Sequence, residues 1–209
     1  MFLNYDYSAT KINLLLDQIK EKNNKDLYHI KEIVKCIIKV HNKKIENNHS
    51  RKYNCKQLIS KVSKAENLKC KDEIILSLEI INQVEHYNNS SVFKNGYLVW
   101  DLEKNRYSDN INDMYVGSYI WDIAAILTYM NNPKFSEIFI DNYLMLSGNK
   151  ITLSALYSNI FYIQVYNALI YDDEASIIKA TKQILQDGAY HSELISYETL
   201  KKLNILGYT

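Results

Sequence analysis

Apolar residues recur along most of this chain at the spacing of one helical face. Ile12, Leu15, Leu16 and Ile19 do so over 11–22, with Ser8 and Thr10 as candidate caps. Ile30, Ile33, Val34, Ile37 and Ile38 form a second stripe over about 26–41. Weaker stripes predict helices over 55–65 and 72–83, the latter carrying Ile74, Ile75, Leu78 and Ile81. After "SYIWDIAAILTYM", which begins a helix close to Trp121, the same spacing returns over 135–146, 152–171 and 174–186. The tail "SYETLKKLNILGYT" reads as one more short helix. One proline and five glycines are few, as expected of long helices with little turn punctuation.

One stretch breaks the helical pattern. "SSVFKNGYLVW" is two short apolar runs around Lys94-Asn95-Gly96, and Asn-Gly is a strong hairpin cue. It predicts a β-hairpin at 91–103, followed by a long loop, "RYSDNINDMYVG". The hairpin ends on Asp101, and Glu103 follows on the same side of an extended chain. The fold class expected is therefore mostly α (α+β), a helical domain with one hairpin in its middle.

Composition narrows the picture. The 209 residues are 47% hydrophobic, a globular content, and long enough for one domain with a real core or for two small ones. The net charge of +1 gives no global field toward nucleic acid or membrane. The charge is uneven, with Lys and Arg outnumbering Asp and Glu roughly two to one up to residue 72. A solvated basic face accounts for that, and an anionic partner is the sharper alternative. Three cysteines without Cys-x-x-Cys spacing fit neither a disulfide framework nor a zinc site. With no secretory leader pattern and no apolar run approaching the roughly 18 residues of a membrane span, the expectation is a cytoplasmic protein without a membrane partner. The histidines are scattered and there is no Gly-x-Ser-x-Gly elbow, so neither a metal hydrolase nor a serine hydrolase is indicated.

Four stretches, in order, carry a resemblance. "IKEIVKCIIKVHNK" (30–43) looks like a helix ending in Leu-His, and "NGYLVWDLE" like a strand ending in Ile-Asp-Phe-Glu. "VGSYIWDIAAIL" (116–127) is similar to a Gly-Asp-Pro-x-Tyr-Asp-Leu-Ala segment through Gly117, Asp122, Ile123 and Ala124. "FIDNYL" and the aromatic helix "LSALYSNIFYIQVYNALIY" are similar to a C-terminal helical pair. Together they resemble the C-terminal lobe of the aminoglycoside phosphotransferase and choline kinase family, protein-kinase-like enzymes, over nearly the whole chain. The resemblance implies a single C-lobe domain: a hinge-like strand at 1–10, helices over 11–90, the hairpin at 91–103 and helices over 116–209, with no N-lobe, Gly-rich loop or strand-borne lysine.

The resemblance also assigns roles. Asp101 stands where the family binds the magnesium ions that bridge ATP phosphates, with Glu103 as a helper. Asp122 stands where an aspartate shapes the catalytic loop through its backbone; its plainer reading is an acid favoured by a helix N-terminus. The catalytic loop, His-Gly-Asp-x-x-x-x-Asn in the family, falls on "QVEHYNNS" (83–90). There Glu85 replaces the catalytic aspartate and Ser90 the metal-binding asparagine, and no position keeps the family's residue. The extra methylene of Glu85 displaces the carboxylate by about a bond length, enough to cost on the order of 10²-fold in rate.

Three functions follow as expectations. The first is a catalytically impaired, pseudokinase-like binding or interaction module, with a protein partner or a second copy over an exposed lobe surface. The second is a small-molecule phosphotransferase using ATP and magnesium, with Glu85, Asp101, Ser90 and Glu103 as its site and an N-lobe supplied by another chain. The third is an assembly component, suggested by the 18 tyrosines, or a spore-coat component, as the resemblance implies because some spore-coat proteins are similar to this kinase-like family.

Overall fold

The computed structural model describes residues 3–22, 27–42, 55–66, 68, 71–88, 95–97, 100, 101, 104, 106–108, 115–117, 119–148, 151 and 153–171. Within them the chain is mostly helical. The elements are α1 (Leu3–Glu21), α2 (Leu27–His41), α3 (Cys55–Lys64), α4 (Lys71–Asn88), β1 (Asn95–Tyr97), β2 (Trp100–Asp101), β3 (Arg106–Tyr107), β4 (Tyr115–Gly117), α5 (Ile120–Met130), α6 (Pro133–Ser147) and α7 (Leu153–Tyr171). The helices expected over 174–186 and in the tail lie outside the described residues.

The apolar stripes are the buried faces. Ile12, Leu16 and Ile19 of α1 and Ile30, Ile33, Val34 and Ile37 of α2 are fully or nearly fully buried, and the two helices lie against each other. Helix α6 covers the other side of α2, and α5, apolar almost all round, runs between α6 and α7. An all-apolar helix belongs in the interior. Helix ends follow local chemistry. Asn132 caps α6 by accepting a hydrogen bond from the Phe135 N–H at 3.0 Å, and Pro133 opens the helix, where its missing N–H costs nothing. Gly148, at φ 66°, ends it in the left-handed conformation. Asn131 ends α5 in the same way at φ 46°, its N–H reaching the Leu127 carbonyl.

Three expectations need correction. The hinge-like strand at 1–10 is helical from Leu3, so Ser8 and Thr10 lie inside α1 rather than capping it. Ala9, 2% exposed, extends the buried stripe of Ile12 and Ile19 upstream, and no proline or glycine interrupts it. The window taken as a catalytic loop is helical through Asn88, because α4 runs on past residue 83. Finally, Asn95-Gly96 is not a hairpin tip. Both residues belong to β1, antiparallel to β4, with Asn95 opposite Gly117 and Gly96 opposite Val116. The strand that ends on Asp101 is β2, and it pairs with β3, Trp100 opposite Tyr107 and Asp101 opposite Arg106. A short β2–β3 hairpin is thus nested, in chain order, within the β1–β4 pair.

Two cores result. The larger gathers α1, α2, β2, β3, α5, α6 and one face of α7. The smaller is formed by α3, α4 and another face of α7.

Candidate functional site

The densest polar constellation among the described residues lies inside the larger core, where three elements meet. His41 ends α2 on the same stripe as Ile30, Val34 and Ile37, so helical geometry turns its ring inward. Asp122 is in the first turn of α5, where the positive end of the helix favours a carboxylate. Both side chains are completely buried, and His41 Nε2 lies 3.0 Å from Asp122 Oδ2. Nδ1 lies 2.8 Å from the Tyr143 hydroxyl on α6. The carboxylate can only accept while ionised, so we assign the proton facing it to Nε2; Nδ1 of the neutral ring then accepts from the Tyr143 O–H. Tyr119 and Tyr143 pack beside the imidazole and on each other, with ring centroids 5.6 and 5.8 Å from it and 6.2 Å apart.

A second layer ties this cluster to the hairpin. The Tyr107 hydroxyl donates to the backbone carbonyl of Asp122 at 3.0 Å. Its phenol is fully buried and titrates well above the usual tyrosine range, first because of burial and then because of the Asp122 charge. The Tyr107 backbone is held from the other side by the Asn13 amide of α1, which donates to its carbonyl and accepts from its N–H, both at 2.9 Å. Trp100 stands edge-on to Tyr107 and to Tyr129, at 4.8 and 5.4 Å between centroids. The hairpin is therefore fastened to α1 and α5 by hydrogen bonds and by aromatic packing.

Outside the core, the hairpin carries charge. Arg106, half-exposed, reaches Asp17 of α1 at 3.5 Å, and the Tyr129 hydroxyl donates to the other Asp17 oxygen at 3.2 Å. The Lys20 ammonium sits 3.5 Å over the Tyr129 ring, and its pKa is lowered by partial burial, with Asp17 pulling the other way. Tyr129 is pushed up by burial and by Asp17.

The predicted site residues fare unequally. Asp122 lies against His41 of α2, and no contact with residues 83–90 enters the described geometry. Asp101 is the last residue of β2, and its antiparallel register sets it directly across from Arg106. Glu85 sits on helix α4 rather than in a loop. Ser90 and Glu103 lie outside the described residues, so their approach to one metal does not enter the geometry. Among the described residues no cluster of three or more His, Cys, Asp or Glu side chains could hold a metal ion. Of the two tryptophans expected in the core, Trp100 is buried and Trp121 half-buried against Tyr162.

Tyr143, Tyr107 and Asn13 are members that motif reading did not single out, and His41 entered it only as the histidine of the Leu-His resemblance, with no role. A signal was present for His41, because a histidine on an otherwise apolar buried stripe needs a polar partner. The chemistry open to the cluster is positional. His41 and Asp122 are sealed from solvent and cannot touch a substrate, but they lock α2, α5 and α6 in one arrangement. No helix among the described residues is long and apolar enough to cross a membrane. Comparison of the chain with models of known protein families, with curated proteins and with solved structures finds no match to any of them.

Proposed function

We propose that this chain is a kinase-like helical module, related to the C-lobe of the aminoglycoside phosphotransferase and choline kinase family, that works by binding rather than by phosphoryl transfer. The observation that carries the reading is the helical state of residues 83–88, within the window where the resemblance puts the catalytic loop. A catalytic loop must bend so that its acid and its metal ligand converge. A helix instead turns about 100° and rises 1.5 Å at each residue, splaying successive side chains around its axis.

A further observation supports it. The sealed His41–Asp122 pair joins two of the stretches that carry the resemblance, 30–43 and 116–127, as a structural element that outlasts the loss of catalysis. Kinship and lost chemistry thus rest on different residues.

Thermal unfolding with saturating ATP and magnesium tests the reading, together with a phosphoryl-transfer assay on small hydroxyl and amine substrates. A ligand at 100 times its dissociation constant stabilises by about 2.7 kcal/mol, or roughly 5–10 °C for a domain of this size. The expected result is no such shift and no transfer above background. A shift of that size that disappears in Asp101→Ala would overturn the proposal in favour of an ATP- and magnesium-dependent phosphotransferase.

A further inference from the structure

Helix α7 has apolar side chains on two opposed faces, and each face belongs to a different core. Leu156, Ile160 and Ile163 are buried in the larger core, beside α5. Phe161 and Val165 are buried in the smaller one, with Cys55, Leu58 and Val62 of α3 and Ile74 and Leu78 of α4. At about 100° per residue, the first three side chains fall within roughly 60° of one another, and Phe161 and Val165 lie about 130–170° round the axis from their mean direction. Helix α7 is a wall shared by two rooms.

The larger core is cross-linked by the His41–Asp122 and His41–Tyr143 contacts and by the double Asn13–Tyr107 bond. In the smaller core, every described apolar residue of α3 and α4 that is buried packs in the one cluster against α7. Its rim adds Lys61, whose ammonium lies 4.9 Å over the Tyr166 ring. Separating α3–α4 from α7 exposes that cluster, as far as the described residues go, and leaves α7 seated on α5 through its other face. Proteins open along such seams, where one contiguous unit gives up few contacts.

We infer that α3–α4 is a flap that opens from α7 as one unit while the larger core stays folded. In the closed state it covers Phe161 and Val165; in the open state that face of α7 is presented to solvent. Because α4 also carries residues 83–88, movement of the flap carries Glu85 with it. The inference stands on the packing of α7 and is independent of the kinase-like reading.

Native-state hydrogen exchange on the full chain tests it, in the regime where rates scale with hydroxide, using two conservative variants. Val165→Ala loosens the seam. Ile123→Val, at a fully buried position of α5, loosens the larger core alone. The amides of α3 and α4 should exchange through one shared opening, at least about tenfold faster than those of α2, α5 and α6. Ile123→Val should speed exchange in α5 by about 2- to 10-fold and leave α3 and α4 unchanged, because Ile123 stays buried when the flap opens. Val165→Ala should speed exchange in both regions. If Ile123→Val accelerates α3 and α4 by the same factor as α5, the molecule opens as a single unit and the flap does not exist.

Discussion

The side chain of Asn13 does for Tyr107 what a neighbouring β-strand would do. Its amide donates to the Tyr107 carbonyl and accepts from the Tyr107 N–H, both at 2.9 Å, across 94 residues of sequence. A buried strand edge without partners would leave two backbone groups unsatisfied. One asparagine on α1 supplies both partners and fixes where the hairpin docks. Asn13→Leu keeps the size and removes both bonds. At about 1–3 kcal/mol for each orphaned group, it should destabilise the fold by about 2–5 kcal/mol. Asn13→Asp keeps only the acceptor and sets a negative charge against the Tyr107 carbonyl, so it should cost at least as much. Urea unfolding midpoints at unchanged slope would check both.

The His41–Asp122 pair makes a different demand, because a hydrogen-bonded couple with one charged member, sealed from water, is harmful when halved. Removing one member strands the other, at a cost of about 3–5 kcal/mol. His41→Leu and Asp122→Leu should each show a loss of that order. The double variant should lose clearly less than the two together, because neither apolar side chain leaves the other member of the pair stranded. A double-mutant cycle by chemical denaturation reads the coupling directly. Losses that simply add would mean that the two side chains act separately, contrary to their 3.0 Å contact.

Tyr107 should set the alkaline limit of the fold. Burial and the Asp122 charge raise its folded pKa above the ordinary value near 10. The unfolded chain therefore loses this proton first as pH rises. The stability due to the neutral phenol is complete below about pH 10, and it is lost as pH climbs from there toward the folded pKa, by up to about 1.4 kcal/mol per pH unit. Tyr129, also raised, adds to the same trend. Tyr107→Phe gives up the hydrogen bond to the Asp122 carbonyl and should be less stable at about pH 8. It should also show a shallower decline between about pH 10 and 11.5, and an unchanged decline would remove Tyr107 from the account.

Residues with strong periodicity announced their structure, and residues that owe theirs to distant partners did not. The stripe of Ile30, Ile33, Val34 and Ile37 places α2 to within a residue or so of Leu27–His41, because only a helix puts all four on one side. Beyond residue 83 the stripe fades into Gln83, Glu85, His86 and Asn88, and α4 continues on helix propensity with no proline or glycine to stop it. Strands of two or three residues have no period to read. Tyr115–Gly117 therefore passed for loop, and Asn95-Gly96 gave a turn cue that pairing with β4 overrode. Of the candidate site, Asp122 was visible as an acid opening an apolar helix. Its partner was not, since the 81 residues between His41 and Asp122 leave no trace in local pattern.

The two ends of α6 offer a comparison in which local chemistry alone should decide the outcome. At its start, the Asn132 side chain satisfies the Phe135 N–H, and Asn132→Ala should cost about 1 kcal/mol, within the roughly 0.5–2 kcal/mol usual for caps. At its end, Gly148 takes φ 66°, and a Cβ added there would meet no atom within 4 Å. Steric contact therefore contributes nothing to Gly148→Ala, and only the backbone penalty of the left-handed region remains, about 1–2 kcal/mol. Gly148→Asn tests that attribution. Asparagine tolerates the left-handed conformation, as Asn131 does at φ 46°, so this larger side chain should be less harmful than alanine. Thermal unfolding of the three variants would rank them. If Gly148→Asn proved the worst of the three, the cost at this cap would be steric after all.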